Sequence, residues 1–364
     1  MKRWVFALTV LLAPSLPSAQ QPTPQAVPEI AFDGDINVLK LPSDMHLGEV
    51  TGVAINSKRH LFIYNRGNSA SGPAYAATAS QLLEFGPDGK FIREIGKGLY
   101  AWAYAHVVRV DKDDNIWAID KGSDMVIKFN PEGRVVMVFG RKKEASDHAE
   151  PWTRVTPVRP HVNGQFREPT DVAWDTQGNI FISDGYINSR VAKFTKDGDW
   201  VKSWGERGTK EGEFNTPHSI ANDAKGNIYV ADRGNRRIQV FDPDGNQLRT
   251  ITIDVPVPPG AQPWFGNTPT PEGAQAQSGA PWAICVSGGP TQYLYSADAF
   301  PGRIYKLSLD GKVLGVLGKA GHQTKQFGWI HEIACPSENE LYVGELLNWR
   351  MQKLTLRPTK AGTQ

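Results

Sequence analysis

The chain has 364 residues, of which 40% are hydrophobic, 10% aromatic and 21% charged, so it can bury a large core and is neither disordered nor collagen-like. Forty Lys plus Arg stand against 38 Asp plus Glu, a balance without the basic excess that nucleic-acid binding needs. Thirty-six Gly and 26 Pro are spread along the whole length with no long helical apolar period, which predicts many short strands joined by tight turns.

At the N-terminus Lys2 and Arg3 precede an apolar run from Trp4 to Leu12, followed by Pro14, Pro17, Ser18 and Ala19. That is the layout of a secretory signal peptide cleaved near Ala19, and the run is about half of the roughly 20 residues that span a bilayer. The expected mature protein is exported, to the periplasm or outside the cell, and has no membrane span. Without Lys2 and Arg3 it carries 38 basic and 38 acidic residues and is formally neutral. Residues 20–33 are expected to be a flexible lead-in, Gln/Pro-rich as far as Pro28.

A repeated unit follows. VVRVDKDDNIWAID, DVAWDTQGNIFISD and SIANDAKGNIYVAD share an apolar strand, a D-x-x-G-N-like turn and a second strand ending in Asp, with further strands around K-F-x-x-D-G. Aligned on the residue before the first strand, six units start from the anchors Thr51, His106, Thr170, His218, Trp282 and His331, spaced by 55, 64, 48, 64 and 49 residues. Two residues on stand Val53, Val108, Val172, Ile220, Ile284 and Ile333, all β-branched; three residues on stand Ala54, Arg109, Ala173, Ala221, Cys285 and Ala334, almost all small. Fourteen residues on stand Asn65, Asp120, Asp184, Asp232 and Glu345, with Asp298 two residues late in unit five. This alternation suits inner strands packed between neighbouring sheets. Six units of about four short strands predict an all-β chain, a six-bladed β-propeller over residues 34–357 with a tail at 358–364. Ile36 to Leu41 is expected to be the outer strand that closes blade six and removes the free sheet edges.

Blade two carries a long insertion, Arg141 to Gly164, and blade five another, Val255 to Ala280. Both are rich in Pro and turn residues and are expected to run over one face and shape a binding site. Two cysteines, Cys285 and Cys335, are too few for a disulfide framework. They stand three and four residues after their anchors, hence on opposite faces of their strands, so two buried unpaired thiols are expected although export would favour a bridge.

Three anchors are histidines, on blades two, four and six: His106, His218 and His331. In a six-bladed ring these blades lie about 120° apart, so the imidazoles would converge on the axis as three metal ligands with room left for substrate or water, a set that suits Zn²⁺. His46, His60, His148, His161 and His322 occupy no equivalent positions and are read as surface or loop residues. HEIAC at His331 matches the start of the H-E-x-x-H zinc motif, but Cys335 replaces the second His and the segment reads as a strand. Just past the Asp register stand Arg66, Tyr186 and Arg233, on loops at the same end of blades one, three and four. An Arg there can hold a carboxylate and a Tyr beside metal and Arg can act as a base, or the three can serve blade-to-blade pairing.

FREPTDVAWDTQGNIFISDGYINSRVAKF and FNTPHSIANDAKGNIYVADRGNRRIQVF resemble the catalytic core of peptidyl-α-hydroxyglycine α-amidating lyase, a family of NHL-repeat propellers. The resemblance is strongest over residues 166–242 and runs more weakly from about Leu47 to Leu354, through LFIYNRG, AHVVRVD and IHEIACP. It implies zinc on His106, His218 and His331, Tyr186 as the active-site base, and Arg66 and Arg233 as the site arginines. It also implies a structural Ca²⁺ in the channel, held by the backbone carbonyls of Val53 and Val108 and by Glu332, where the family has Asp. Ile187 stands where the family usually has a disulfide Cys, and Ile330 where it has a Met. The implied reaction cleaves the C–N bond of a peptidyl- or N-acyl-α-hydroxyglycine, giving a primary amide and glyoxylate. The implied partner is a small molecule or peptide ending in α-hydroxyglycine, and the protein is expected to act as a monomer.

Two other readings stay open. One is a non-catalytic NHL propeller that binds a peptide or glycan at the channel mouth and keeps the metal for structure. The other is a metal-dependent hydrolase or lactonase of the wider propeller group, usually centred on Ca²⁺ held by Glu, Asn and Asp, a set that the three histidines do not resemble.

Overall fold

One Asp sets the turn between the first two strands of a unit. Asp175 Oδ1 accepts the backbone N–H groups of Gln177 and Asn179, both at 2.9 Å, and its Oδ2 accepts the Asn179 side-chain amide at 2.7 Å. Asp223 repeats the pattern with Lys225 and Asn227. The Gly of the string lies at φ +84° in both Gly178 and Gly226, a conformation that costs other residues energy. In blade two Asp114 takes that place at φ 60°, which a short polar side chain tolerates.

The computed structural model describes residues 27–67, 80–142, 160–261 and 277–357. The turns join strands into six four-stranded antiparallel sheets. Their innermost strands are Glu49–Ile55, Ala105–Val110, Asp171–Trp174, Pro217–Asn222, Ala283–Val286 and Ile330–Ser337, and each touches the next around a ring. The result is the six-bladed β-propeller that the repeat predicts. The β-branched residues two after each anchor are all buried. Large aromatic rings fill the wedges between blades: between blades two and three, Trp117 meets Trp174 at 5.5 Å and Phe139 meets Phe194 at 4.6 Å between ring centroids.

Blade six is closed from the N-terminal side, but by Phe32–Asp35, which pairs with Arg350–Leu356 from Phe32 opposite Leu356 to Asp35 opposite Lys353. The expected closing segment, Ile36 to Leu41, lies just beyond; its Val38, Leu39 and Leu41 pack instead against Val53, Ile63 and Phe85 of blade one. Phe32 decides the register by burying its ring against Phe327, 6.4 Å between centroids. The end of the expected lead-in is ordered as well: Ile30 N–H donates to the Val316 carbonyl at 2.8 Å, and Val316 N–H to that of Pro28 at 3.0 Å.

Cys285 and Cys335 are joined in a disulfide between blades five and six, with Cα atoms 6.2 Å apart, which corrects the expectation of two free thiols. Counting strand parity failed because the blade-six ladder shifts register between Ala334 and Ser337. That irregularity breaks the two-residue alternation at Cys335 and re-aims its side chain.

Candidate active site

In blades one, two, four and six the innermost strand carries one extra residue against its partner, and in each case it is the anchor. Thr51 falls between paired Val50 and Gly52, His106 between Ala105 and Val107, His218 between Pro217 and Ser219, and His331 between Ile330 and Glu332. Such bulges bend the strand and re-aim a side chain; three of them here turn imidazoles toward the axis.

Each imidazole is fixed from behind by the next blade round the ring. Nδ1 of His106, His218 and His331 lies 2.7, 2.6 and 2.8 Å from the carbonyl oxygens of Thr170, Trp282 and Thr51, the anchors of blades three, five and one. A carbonyl oxygen only accepts, so Nδ1 carries the proton and Nε2 presents its lone pair. One ring nitrogen from each His lies within 4.8 Å of the others, all three rings are buried, and among the described residues no other such cluster of metal-ligating side chains occurs. Burial holds His106 and His218 well below the usual imidazole range, helped by their histidine neighbours and by Arg233 beside His218. Burial, with Arg66 adding to it, takes His331 down to about 3. All three imidazoles are neutral at neutral pH.

The Tyr186 hydroxyl lies 3.3 Å from His106 Nε2 and 3.0 Å from His218 Nε2. Its single proton cannot satisfy both lone pairs, let alone three. Buried polar atoms left in this state are costly, and three converging neutral imidazoles are the donor set that suits zinc while leaving a coordination position open. The residues fit the ion.

The Asp register has a structural task. Asp120 accepts the N–H groups of Ala103, Tyr104 and Ser123, Asp232 that of Asn215, Glu345 that of Gly328, and Asp298 those of Gly279, Gly302 and Arg303. These bonds pin the loop entering each blade and so place the residue just after the carboxylate. Arg233 follows Asp232; its guanidinium stacks on Trp282 at 3.9 Å and lies 5.4 Å from the Tyr186 ring centroid. Burial lowers its affinity for a proton, and the hydrogen bond it shares with Tyr186 opposes that. Arg66 follows Asn65 and is held differently: Nη1 pairs with Glu49 at 2.7 Å, Nε donates to the Ala105 carbonyl at 2.9 Å, and the guanidinium stacks on Tyr104 at 3.8 Å. The structure thus brings Arg233 beside Tyr186, while the charge of Arg66 reaches His106 and His331.

A third cation occupies the same step on blade two. Lys121 follows Asp120; its ammonium lies 4.0 Å over the Tyr186 ring and 3.4 Å from Glu168, and its charge reaches all three histidines. The string AIDKGSD carries this signal in the sequence, a cation one residue after the register carboxylate, as with Arg233.

Deeper in the channel Val53, Val108 and Glu332 meet as well. Glu332 Oε2 accepts the N–H groups of Val53 at 3.0 Å and Val108 at 3.3 Å, while Oε1 lies 3.0 Å from Arg109 Nε. Burial pushes this carboxyl well up, and Arg109 with the two N–H groups pulls it back. The expected signal peptide and most of both insertions, residues 143–159 and 262–276, lie outside the described residues. Among those described, no helix is long and apolar enough to cross a membrane.

An NHL-repeat family model matches residues 214–241, the first three strands of blade four. The chain is 27% identical over 332 residues to peptidyl-glycine alpha-amidating monooxygenase A of Xenopus laevis, covering 83% of this chain and 31% of that protein. It is 28% identical over 290 residues to a probable peptidyl-alpha-hydroxyglycine alpha-amidating lyase of Caenorhabditis elegans, covering 71% of this chain and 77% of that protein. The chain therefore spans less than a third of the frog protein's length and most of the nematode protein's. Virginiamycin B lyase from Staphylococcus aureus shares the fold, with a TM-score of 0.55 over 90% of this chain and 100% of that one at 12% identity.

Proposed function

We propose that this chain, an NHL-type propeller homologous to proteins named as peptidyl-α-hydroxyglycine α-amidating lyases, is a zinc-dependent lyase that cleaves the C–N bond of a peptidyl- or N-acyl-α-hydroxyglycine. The observation that carries this reading is the set of three buried imidazoles, each pinned through Nδ1, with the Tyr186 hydroxyl against two of their Nε2 atoms. The products are a primary amide and glyoxylate, and no water is consumed. The substrate's hydroxyl O–H breaks, its C–O bond becomes a carbonyl, and the C–N electron pair leaves with the nitrogen, which takes up a proton.

Nε2 of His106, His218 and His331 would hold Zn²⁺, which would supply Lewis acidity toward the substrate's hydroxyl or carboxylate oxygen. Tyr186 serves as the general base toward the hydroxyl proton, with the Arg233 guanidinium 5.4 Å from its ring centroid in the same pocket. Arg66 offers a planar fork to the substrate carboxylate, and Lys121 adds positive charge at the same mouth. We place the protein in the periplasm or outside the cell: the Cys285–Cys335 bridge supports an oxidising compartment, as does the leader-like sequence of the first residues.

The test is metal content by mass spectrometry together with glyoxylate release from an N-acyl-α-hydroxyglycine, for the wild type and Tyr186→Phe. The expected result is about one zinc per chain and a loss of release of roughly 10²–10⁴-fold in the variant, the range of a lost general base. Zinc without release from the wild type would overturn the lyase reading; no bound metal would overturn the site.

A further inference from the structure

Arg109 is the one large residue in a register otherwise filled by Ala and Cys. Its Nε and Nη2 bind Asp171 Oδ1 and Oδ2 at 2.9 and 2.6 Å, the two-pronged geometry of a strong guanidinium–carboxylate pair. Nη2 also reaches Ser219 Oγ and the Ile284 carbonyl, both at 3.3 Å, and Nη1 donates to the Ile333 carbonyl at 3.2 Å. Nε lies 3.0 Å from Glu332 Oε1, and Glu332 extends the network through Oε2 to the N–H groups of Val53 and Val108. One guanidinium from blade two thus touches blades three, four, five and six directly, and blade one through Glu332.

Val53, Val108 and Glu332 are the residues to which the family resemblance gives a calcium ion, and their arrangement here does not fit one. Oε2 of Glu332 is held by two N–H groups, which turn partial positive charge toward the ion's place, and Oε1 faces a fixed cation that does not deprotonate. The strands of blades one and two also close on the carboxylate at Gly52, where a Cβ would lie 2.7 Å from Val108 N and 3.0 Å from Glu332 Oε2. The layer supplies its own cation, with Glu332 Oε1 left to its 3.0 Å ion pair and no hydrogen bond. Two carboxylates face one guanidinium, and Asp171 also accepts the N–H groups of Val172 and Ile220 at 2.8 and 3.0 Å and the Ser219 hydroxyl at 2.9 Å.

We infer that Arg109 is the structural cation of this propeller: its guanidinium takes the calcium's place, ties the six inner strands together, and makes the fold independent of Ca²⁺. The test reads calcium and stability, so it stands whether or not lyase activity is found. Zinc-loaded protein is equilibrated at about 1 mM CaCl₂, where extracellular modules bind, then desalted and counted by mass spectrometry, with thermal unfolding followed in the same buffer with and without calcium. Wild type should retain no stoichiometric calcium and unfold at the same temperature in both buffers. Arg109→Met, which strands two buried carboxylates, should unfold roughly 5–10 °C lower. Stoichiometric calcium in the wild type, a calcium-dependent rise in its Tm, or an unchanged Tm in the variant would overturn the inference. If the variant does not fold, the two wild-type measurements decide alone.

Discussion

Two layers of the central channel are built from neighbouring positions of the same strands, yet they treat polar atoms in opposite ways. In the histidine layer, backbone carbonyls fix the back of each ring, while the front edges converge on one another and on a single hydroxyl. One to three residues further along the strands, Arg109, Asp171 and Glu332 pair with one another and with backbone N–H groups. A six-fold repeat brings six residues to every level of its axis, so position does not separate a site from a strut. What separates them is the kind of group that converges: opposite charges hold one another in the Arg109 layer, Glu332 Oε1 through its ion pair alone, whereas three like lone pairs in the histidine layer leave capacity for something from outside.

The largest effect is expected where that capacity is removed. His218→Ala should lower glyoxylate release by more than the roughly 10–100-fold typical of losing a hydrogen-bond partner behind a metal ligand, with zinc falling below one per chain by mass spectrometry. The zinc-free variant should still unfold cooperatively near the zinc-free wild type, since the lost Nδ1 bond contributes only about 1 kcal/mol. A variant that fails to fold, rather than failing to hold zinc, would erase the difference between the two layers.

Much of this was legible because the repeat made residues comparable. The anchors, the β-branched positions and the Asp register needed only alignment of one chain with itself, and that alignment placed His106, His218 and His331 on the axis. What the alignment could not carry was any contact between different registers. Arg109 stood out as the exception among small residues, but nothing in the string shows that Asp171 and Glu332, each one step after its own anchor, close on it across the channel. Cys285 and Cys335 were misread for a related reason: strand parity holds only along an unbroken ladder, and the ladder breaks between Ala334 and Ser337. The closing strand lies a few residues before Ile36 to Leu41 because that segment, though it carries four apolar residues, packs on blade one, whereas Phe32–Asp35 is marked in the sequence by one ring alone.

Acid should act on the histidine layer first. An unfolded imidazole binds its proton near pH 6.5, while in the folded chain His331 does so only at about 3 and His106 and His218 well below their usual range, chiefly because they are buried. Between those values the unfolded state holds more protons than the folded one, so the sign is fixed: stability is complete above about pH 6.5 and is lost as pH falls through the folded values. Each histidine can contribute up to about 1.4 kcal/mol per pH unit in that window. Denaturant unfolding of zinc-free protein between about pH 7 and 5 should show the slope, and His218→Ala should lessen it. An identical slope in the variant would assign the acid sensitivity to groups outside this layer.

The smallest effect is expected at Lys121. Its ammonium is already engaged by Glu168 at 3.4 Å and by the face of Tyr186 at 4.0 Å, and a fifth of the side chain is open to solvent. A partly exposed charge of this kind contributes about 0.2–1 kcal/mol and is screened by salt. Lys121→Met should therefore raise KM for an α-hydroxyglycine substrate by about 2–5-fold, leave kcat nearly unchanged, and lose most of its effect at high ionic strength. That pattern would mark Lys121 as a cation that attracts the substrate carboxylate without holding it in the transition state. A fall in kcat that persists in high salt would instead place Lys121 with Arg233, as a charge that Tyr186 depends on, and the boundary of the unsatisfied layer would have to be drawn one residue wider.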